Sequence, residues 1–350
     1  MSNHMRWLRK YGVWLLPVAA VLIMLYPLQA SAADGDGFNI QVSPSPLAVT
    51  LTPGKQQTAT VTVRNLSNHS EILLPALSGF TVAGSNNKIE LQSEVPLGLR
   101  DWIHFKQASM TLAPGASQPL NIIYDTPTNV GFSYGLAITL SQPEKPGKSG
   151  AHIQAKVAVF NLINIDRPDA KRQLQIESFK SLKSRYEFLP AQFELVVKNK
   201  GNVIDQPTGN IFIQRSFNDE NPIATLPLNK GGAYILPDSG RLFSLIWKEG
   251  FPHYEKVASP GATQETKHLS WDWKQLGSLR MGKYVAKAVV VYNDGQHDVP
   301  LIASVTFWVI PWRLIFIALL VIGLVTTGLI AWGRMIFKGT KKVRKYATRK

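Results

Sequence analysis

The sequence predicts an all-β fold, two tandem immunoglobulin-like β-sandwich domains, closed by one C-terminal transmembrane α-helix. Three observations predict it. Short apolar–polar alternations recur from residue 34 to residue 308, one order of turn signals occurs twice across them, and a charge-free apolar stretch follows before a basic tail. Alternation with a period of two is the mark of a half-buried strand, because successive side chains point to opposite faces of a sheet.

The first 32 residues read as an export signal. Arg6, Arg9 and Lys10 precede an apolar run from Val13 to Leu28, and Ala30-Ser31-Ala32 offers small residues where a signal peptidase cuts, before Ala33.

Residues 33–168 read as the first sandwich. In Thr58 to Arg64 the residues Ala59, Val61 and Val63 share one face, and Leu136 to Ser141 alternates in the same way. Residues 169–308 read as the second, with strands expected at Phe193 to Lys198 and Tyr284 to Tyr292, and Asp166-Arg167-Pro168-Asp169 interrupting the pattern between the two. The turn signals repeat in order. A strand ends at Asn65, Leu112-Ala113-Pro114-Gly115 turns into Leu120 to Tyr124, and Gly131 to Tyr134 opens a strand. In the second half a strand ends at Asn199, Leu236 to Gly240 turns into Leu242 to Trp247, and Gly282-Lys283-Tyr284 opens the next. Proline fixes φ and glycine or asparagine supplies positive φ, so such clusters stop one strand and aim the next. Two copies of one order favour a tandem of sandwiches over a single large barrel. A Gly-x-Tyr start is expected to set a ring at the core's edge with its hydroxyl within reach of backbone.

The segment from Leu314 to Trp332 has 19 residues without charge. At roughly 1.5 Å per residue it spans about 28 Å, close to the hydrocarbon thickness of a bilayer. Trp308, Trp312 and Trp332 are the expected interfacial anchors of a membrane unit over residues 309–333. Residues 334–350 form the basic tail, in which Lys341, Lys342, Arg344 and Lys345 point to a cytoplasmic C-terminus by the positive-inside rule. The outer domains are therefore expected on the extracytoplasmic side of a single-pass cell-membrane protein.

Charge and composition narrow the function classes. The net charge is +15, but three basic residues before the first apolar run and eight after the last account for eleven of it. No clustered basic face remains for phosphates, which argues against nucleic acid. The chain has no cysteine, so disulfides, thiol nucleophiles and cysteine-ligated metals are excluded. Gly131-Phe132-Ser133-Tyr134-Gly135 matches the G-x-S-x-G elbow, but that elbow needs a helix after the serine and the residues that follow alternate as a strand. The seven histidines show no metal-ligand spacing, and His297-Asp298 reads as a solvated turn. Asn65-Leu66-Ser67 and Asn68-His69-Ser70 fit the glycosylation sequon and read as turn caps. No catalytic, cofactor or metal residue is expected.

Lys248 to Gly277 is too long for a hairpin loop and holds Phe251, Tyr254, Trp271 and Trp273. These four are the candidate partner- or glycan-binding residues, since flat aromatic faces suit sugar rings and protein partners. The other reading has one indole plugging the end of the sandwich.

The Pro-Gly turns, Asn199 to Val203, Gly282-Lys283-Tyr284, Tyr292-Asn293-Asp294-Gly295 and the exit from Phe307 to Trp312 resemble bacterial surface proteins of the WxL-interacting family. The resemblance implies a signal peptide, two β-sandwiches, one helix and a basic tail, with the first domain directed to peptidoglycan and the second to host or partner proteins. It carries no binding residue with it. The expected function is a non-enzymatic cell-surface binding or scaffold protein facing cell-wall glycan or another surface protein. The alternative is a membrane-tethered extracytoplasmic assembly chaperone that pairs edge strands, although no paired basic residues for a partner's C-terminal carboxylate stand out in the sequence.

Overall fold

The computed structural model describes residues 37–83, 88–96, 98–143, 155–257 and 266–347. The expected signal peptide lies outside the described residues, as do the side chains of Lys341, Lys342, Arg344 and Lys345. The chain is all-β up to a single long C-terminal helix, with two hydrophobic cores formed by Ile40 to Ile165 and by Leu174 to Val309.

Ten strands build the first sandwich: β1 (Ile40–Ser43), β2 (Leu47–Leu51), β3 (Gln56–Asn65), β4 (Glu71–Ala83), β5 (Lys88–Gln92), β6 (Ile103–Phe105), β7 (Met110–Leu112), β8 (Ser117–Asp125), β9 (Ser133–Ser141) and β10 (Lys156–Ile165). One sheet runs β1-β3-β8-β6 and the other β2-β10-β9-β4-β5, with β7 paired to β4. The expected alternation is visible in β3, whose Val61, Val63 and Asn65 are buried while their neighbours face water. Leu120, Ile122 and Tyr124 of β8 meet Leu136, Ile138 and Leu140 of β9 across the core. Burying each such side chain contributes about 1.5–3 kcal/mol.

The second sandwich repeats the plan with β11 (Leu174–Ser181), β12 (Arg185–Tyr186), β13 (Ala191–Asn199), β14 (Thr208–Gln214), β15 (Ala224–Leu228), β16 (Gly240–Trp247), β19 (Gly282–Asn293) and β20 (Asp298–Val309). Its sheets are β11-β13-β16 and β12-β20-β19-β14-β15. Strand β13 alternates buried and half-buried side chains from end to end. The core centres on aromatics: Trp247 against Tyr284 at 5.3 Å, Phe193 against Phe307 at 5.2 Å, and Tyr284 stacked on Phe307 at 5.7 Å. The tyrosines at the two strand starts differ. Tyr134, three residues after Gly131, accepts the Gly131 N–H at 2.6 Å, whereas Tyr284 of the Gly-x-Tyr start departs from the expectation: it is wholly buried and its hydroxyl has no partner among the described residues.

In both sandwiches the leading segment changes sheets. β1 pairs antiparallel with β3 before β2 crosses to lie parallel to β10, and β11 pairs with β13 before β12 crosses to lie parallel to β20. This switch ties the two sheets of an immunoglobulin-like sandwich at one corner.

Two elements depart from the sequence expectation. The segment from Lys248 to Gly277 is more than a loop, holding the hairpin β17 (His253–Val257) with β18 (Thr266–Ser270) and a 3-10 turn over Trp273–Ser278. The helix α1 (Trp312–Ala347) continues well past the expected span into the basic region. Its apolar part, Trp312–Met335, covers 24 residues of mean hydropathy 2.8 and has length and composition for a membrane span.

Candidate functional site

Two regions of the chain bring interaction-bearing groups together. The first is the junction of the two sandwiches with the strand edge that leads into it. Asn164 at the end of β10 donates from Nδ2 to the Ile204 carbonyl at 2.9 Å, and its Oδ1 accepts the Ile204 N–H at 2.8 Å. Ser133, the serine of the G-x-S-x-G match, donates its hydroxyl to the Asn202 carbonyl at 3.0 Å. It opens strand β9 and joins the two sandwiches, so it sits on no nucleophile elbow.

Cavities flank these contacts. One of about 330 Å³ is lined by residues that include Thr50, Asn164, Arg172, Asp205 and Tyr234. Another of about 230 Å³ is more apolar, with Phe80, Phe160, Leu162, Tyr234 and Arg241 among its walls. Phe80 and Phe160 meet edge to face at 5.0 Å. Burial lowers the proton affinity of the Arg241 guanidinium, which donates to the Tyr234 carbonyl at 3.2 Å. Burial raises the Asp205 carboxyl above its ordinary value, an effect opposed by the Gln206 N–H that it accepts and by the Arg172 charge. Arg172 and Arg241 thus lie on either side of Leu162 and Tyr234. They are far apart in sequence, in segments that read as linker and turn, and no local signal links them.

The edge of β10 runs into this cleft. β2 pairs only with Asn161 to Ile165, and no strand among the described residues pairs with the outer edge of Lys156 to Phe160. The Ile165 N–H bonds inward to Phe132 and the Asp166 N–H outward to Leu51, and the register with β9 is unbroken. Backbone groups alternate sides along a strand, so Lys156 and Ala158 direct N–H and C=O outward to the open edge, while the outward C=O of Phe160 already faces Leu47 of β2. Strand β20 repeats the arrangement: β12 meets only Trp308 and Val309, and no strand among the described residues pairs with the outer edge of Pro300 to Thr306. Open edges are templates for another strand.

The second region holds the sequence candidates. Phe251 packs under Trp271 at 5.7 Å and Trp273 at 5.4 Å, and the two indoles stack at 5.9 Å with planes 26° apart. Phe251 is 5 % exposed and supports the indoles from below, while Trp271 is 42 % and Trp273 68 % exposed. Tyr254 stands apart from this stack. Its ring meets Phe188 at 5.9 Å and its hydroxyl donates to Glu187 at 3.3 Å, while the other Glu187 oxygen lies 3.4 Å from Arg313 in the first turn of α1. Trp308 is at the end of β20, Trp312 starts α1 and Trp332 is near the other end of its apolar part, all three exposed. His297 lies 3.4 Å from Asp294 in its turn, and no cluster of metal-ligating side chains occurs among the described residues.

The fold and this geometry define a class: a tandem immunoglobulin-like β protein carrying one apolar C-terminal helix. No protein-family model matches the chain, and no curated protein matches it. Solved structures similar to it include the class 5 fimbriae chaperone CfaA, 12 % identical over 75 % of this chain and 98 % of that one, with a TM-score of 0.36. The CsuC–CsuE chaperone–tip adhesion subunit pre-assembly complex of Acinetobacter baumannii is 12 % identical over 76 % and 97 % of the chains, with a TM-score of 0.35. The CupB2 chaperone of Pseudomonas aeruginosa is 8 % identical over 77 % and 100 %, with a TM-score of 0.33. The likeness is one of fold.

Proposed function

We propose that this chain is a non-enzymatic, membrane-tethered binding protein of the extracytoplasmic space that takes an extended segment of a partner polypeptide onto a sheet edge, in the manner of an assembly chaperone. The domains proposed for it are residues 33–168 and 169–308, held outside by a span over 309–333 with the tail in the cytoplasm. One observation carries the reading: the unpaired outer edge of Lys156 to Phe160, which leads straight into the cleft beside Phe80, Phe160 and Arg241. A segment laid there would gain main-chain hydrogen bonds from the N–H and C=O of Lys156 and Ala158 without regard to its sequence. The apolar cleft walls would select its side chains, and Arg241 would attract an anionic group.

Ala158→Pro tests it. The substitution removes the central outward N–H and leaves the ladder to β9, made by odd-numbered residues, intact. In the full chain within its own membrane, the variant is expected to keep its thermal midpoint and to lose the partner that co-purifies with the parent. Retention of that partner by the folded variant would overturn the reading.

A scaffold role of the WxL-interacting type is a second reading, favoured by the layout of two sandwiches and a C-terminal helix. It predicts that isolated cell-wall sacculi retain the parent and Ala158→Pro equally.

A further inference from the structure

The aromatic insertion between β16 and β19 ends where the chain turns into α1. Gly282, the first residue after it, pairs with Val309, the last residue of β20, and Trp312 begins the helix three positions on. The insertion is fastened to that end of the domain. Phe251 donates its N–H to the Ser278 carbonyl at 3.0 Å, Tyr254 donates its N–H to Leu189 at 2.8 Å, and the Arg280 Nε donates to the Glu249 carbonyl at 3.2 Å. Glu187, between Tyr254 and Arg313, links the hairpin base to the first turn of the helix.

Against this rigid base the insertion exposes Trp271, Trp273, Leu276, Leu279 and Met281. Asp272 caps the 3-10 turn by accepting the Lys274 N–H at 3.1 Å, which fixes the direction in which the indoles project. Exposed apolar side chains scattered singly need no explanation, but five within eleven residues form a patch, and such patches mark interaction surfaces. From Thr266 to Lys283 the charged residues are Lys267, Lys274, Arg280 and Lys283 against Asp272 alone. Tryptophan and leucine set among basic residues is the composition of segments that lie in the bilayer interface.

We infer that the insertion is a membrane foot: Trp271, Trp273, Leu276, Leu279 and Met281 embed in the outer leaflet at the headgroup level, beside the helix, and fix the tilt of the second sandwich on the bilayer. The inference rests on α1 spanning the membrane. The occupant is lipid, because the patch adjoins the residues that the helix carries to the interface and its basic companions suit anionic headgroups. It also gives the exposed indoles a different occupant from the sugar ring or protein expected from the sequence.

The absence of cysteine makes single-site labelling direct. Full-length Leu276→Cys, Val325→Cys and Gln118→Cys variants, each carrying an environment-sensitive fluorophore, are reconstituted in vesicles of phosphatidylcholine with phosphatidylglycerol. The label at position 276 is expected to shift to the blue and to lose most of its emission to a shallow lipid-borne quencher. Aqueous iodide should leave it nearly untouched and quench the label at 118. Quenching at 276 by iodide, with 325 quenched from the lipid, overturns the foot and leaves the span standing. Protection at 276 from both quenchers assigns the patch to contact between copies of the chain and equally overturns the foot. A label at 325 that no lipid quencher reaches overturns the membrane span and the foot with it.

Discussion

Asn65 and Asn199 occupy the same place in the two sandwiches and make the same hydrogen bonds. Each side-chain amide donates to the carbonyl four residues on, His69 at 2.7 Å and Val203 at 2.7 Å. Each donates again across the sandwich, to Leu112 at 3.1 Å and Ile235 at 3.0 Å, and each Oδ1 accepts the N–H two residues on. Their own N–H groups reach Ala116 and Ser239, both at 2.9 Å. The pair stitches the end of β3 or β13 to the facing Pro-containing turn. Neither asparagine has any exposed surface, and for Asn65 this places the amide of the first sequon in the interior.

Replacing either asparagine by alanine strands buried carbonyls and one N–H, at about 1–3 kcal/mol for each unsatisfied group. Asn65→Ala and Asn199→Ala are each expected to lower stability by about 3 kcal/mol, within reach of denaturant titration. The double variant should lose the sum, because the sites share no partner. A loss below 1 kcal/mol for either single variant would show that water replaces the amide.

The facing turns also correspond. Gly115 has φ of 73° and Asp238 of 57°, the left-handed region that costs a side chain energy. Asp238→Gly is expected to raise the unfolding midpoint slightly, by about 0.5 kcal/mol, the gain from relieved strain being reduced by the flexibility that glycine gives the unfolded chain. Gly115→Asp should move it down.

Tyr134 and Tyr284, at the starts of β9 and β19, should respond with opposite sign. Tyr134→Phe removes the acceptor of the Gly131 N–H and is expected to lose about 1 kcal/mol. Tyr284→Phe removes a buried hydroxyl that has no partner among the described residues and is expected to be neutral or to gain up to about 1 kcal/mol. Thermal unfolding of the two variants beside the parent distinguishes them.

Asp205, which lines the cavity beside Thr50 and Asn164, makes the stability of the junction depend on pH. Burial raises its folded value above the ordinary 3.8, so the folded chain holds a proton that the unfolded chain has released. Its contribution is therefore fully present below 3.8 and declines as pH rises through the raised value. Asp205→Asn, which still accepts the Gln206 N–H, should match the parent in acid and exceed its stability at neutral pH. Parallel curves for the two proteins across that interval would refute the assignment.

The sandwiches were legible because their strands are half-buried. Val61 and Val63 alternate with polar neighbours whatever the strand pairs with, and the turns at Pro114 and Pro237 announce themselves through residues that fix φ. The aromatic cluster at Phe251, Trp271 and Trp273 was legible as composition, but its division into one buried support and two exposed indoles was not, since that depends on the fold of the insertion. Its hairpin went unread because β17 and β18 are five residues each and mix polar and apolar side chains.

The amino-acid order alone determined which way each strand faces, where strands stop, and that an apolar helix with a charge-free stretch from Leu314 to Trp332 follows the second sandwich, because these follow from local periodicity and backbone preference. Only the tertiary structure decided which edges stay open at β10 and β20 among the described residues, and that Arg172 and Arg241 would line neighbouring cavities that share Leu162 and Tyr234. Hydrogen-bonding edges are made of backbone, which every residue supplies alike, and the cleft is made by two domains whose contact no local run of residues encodes.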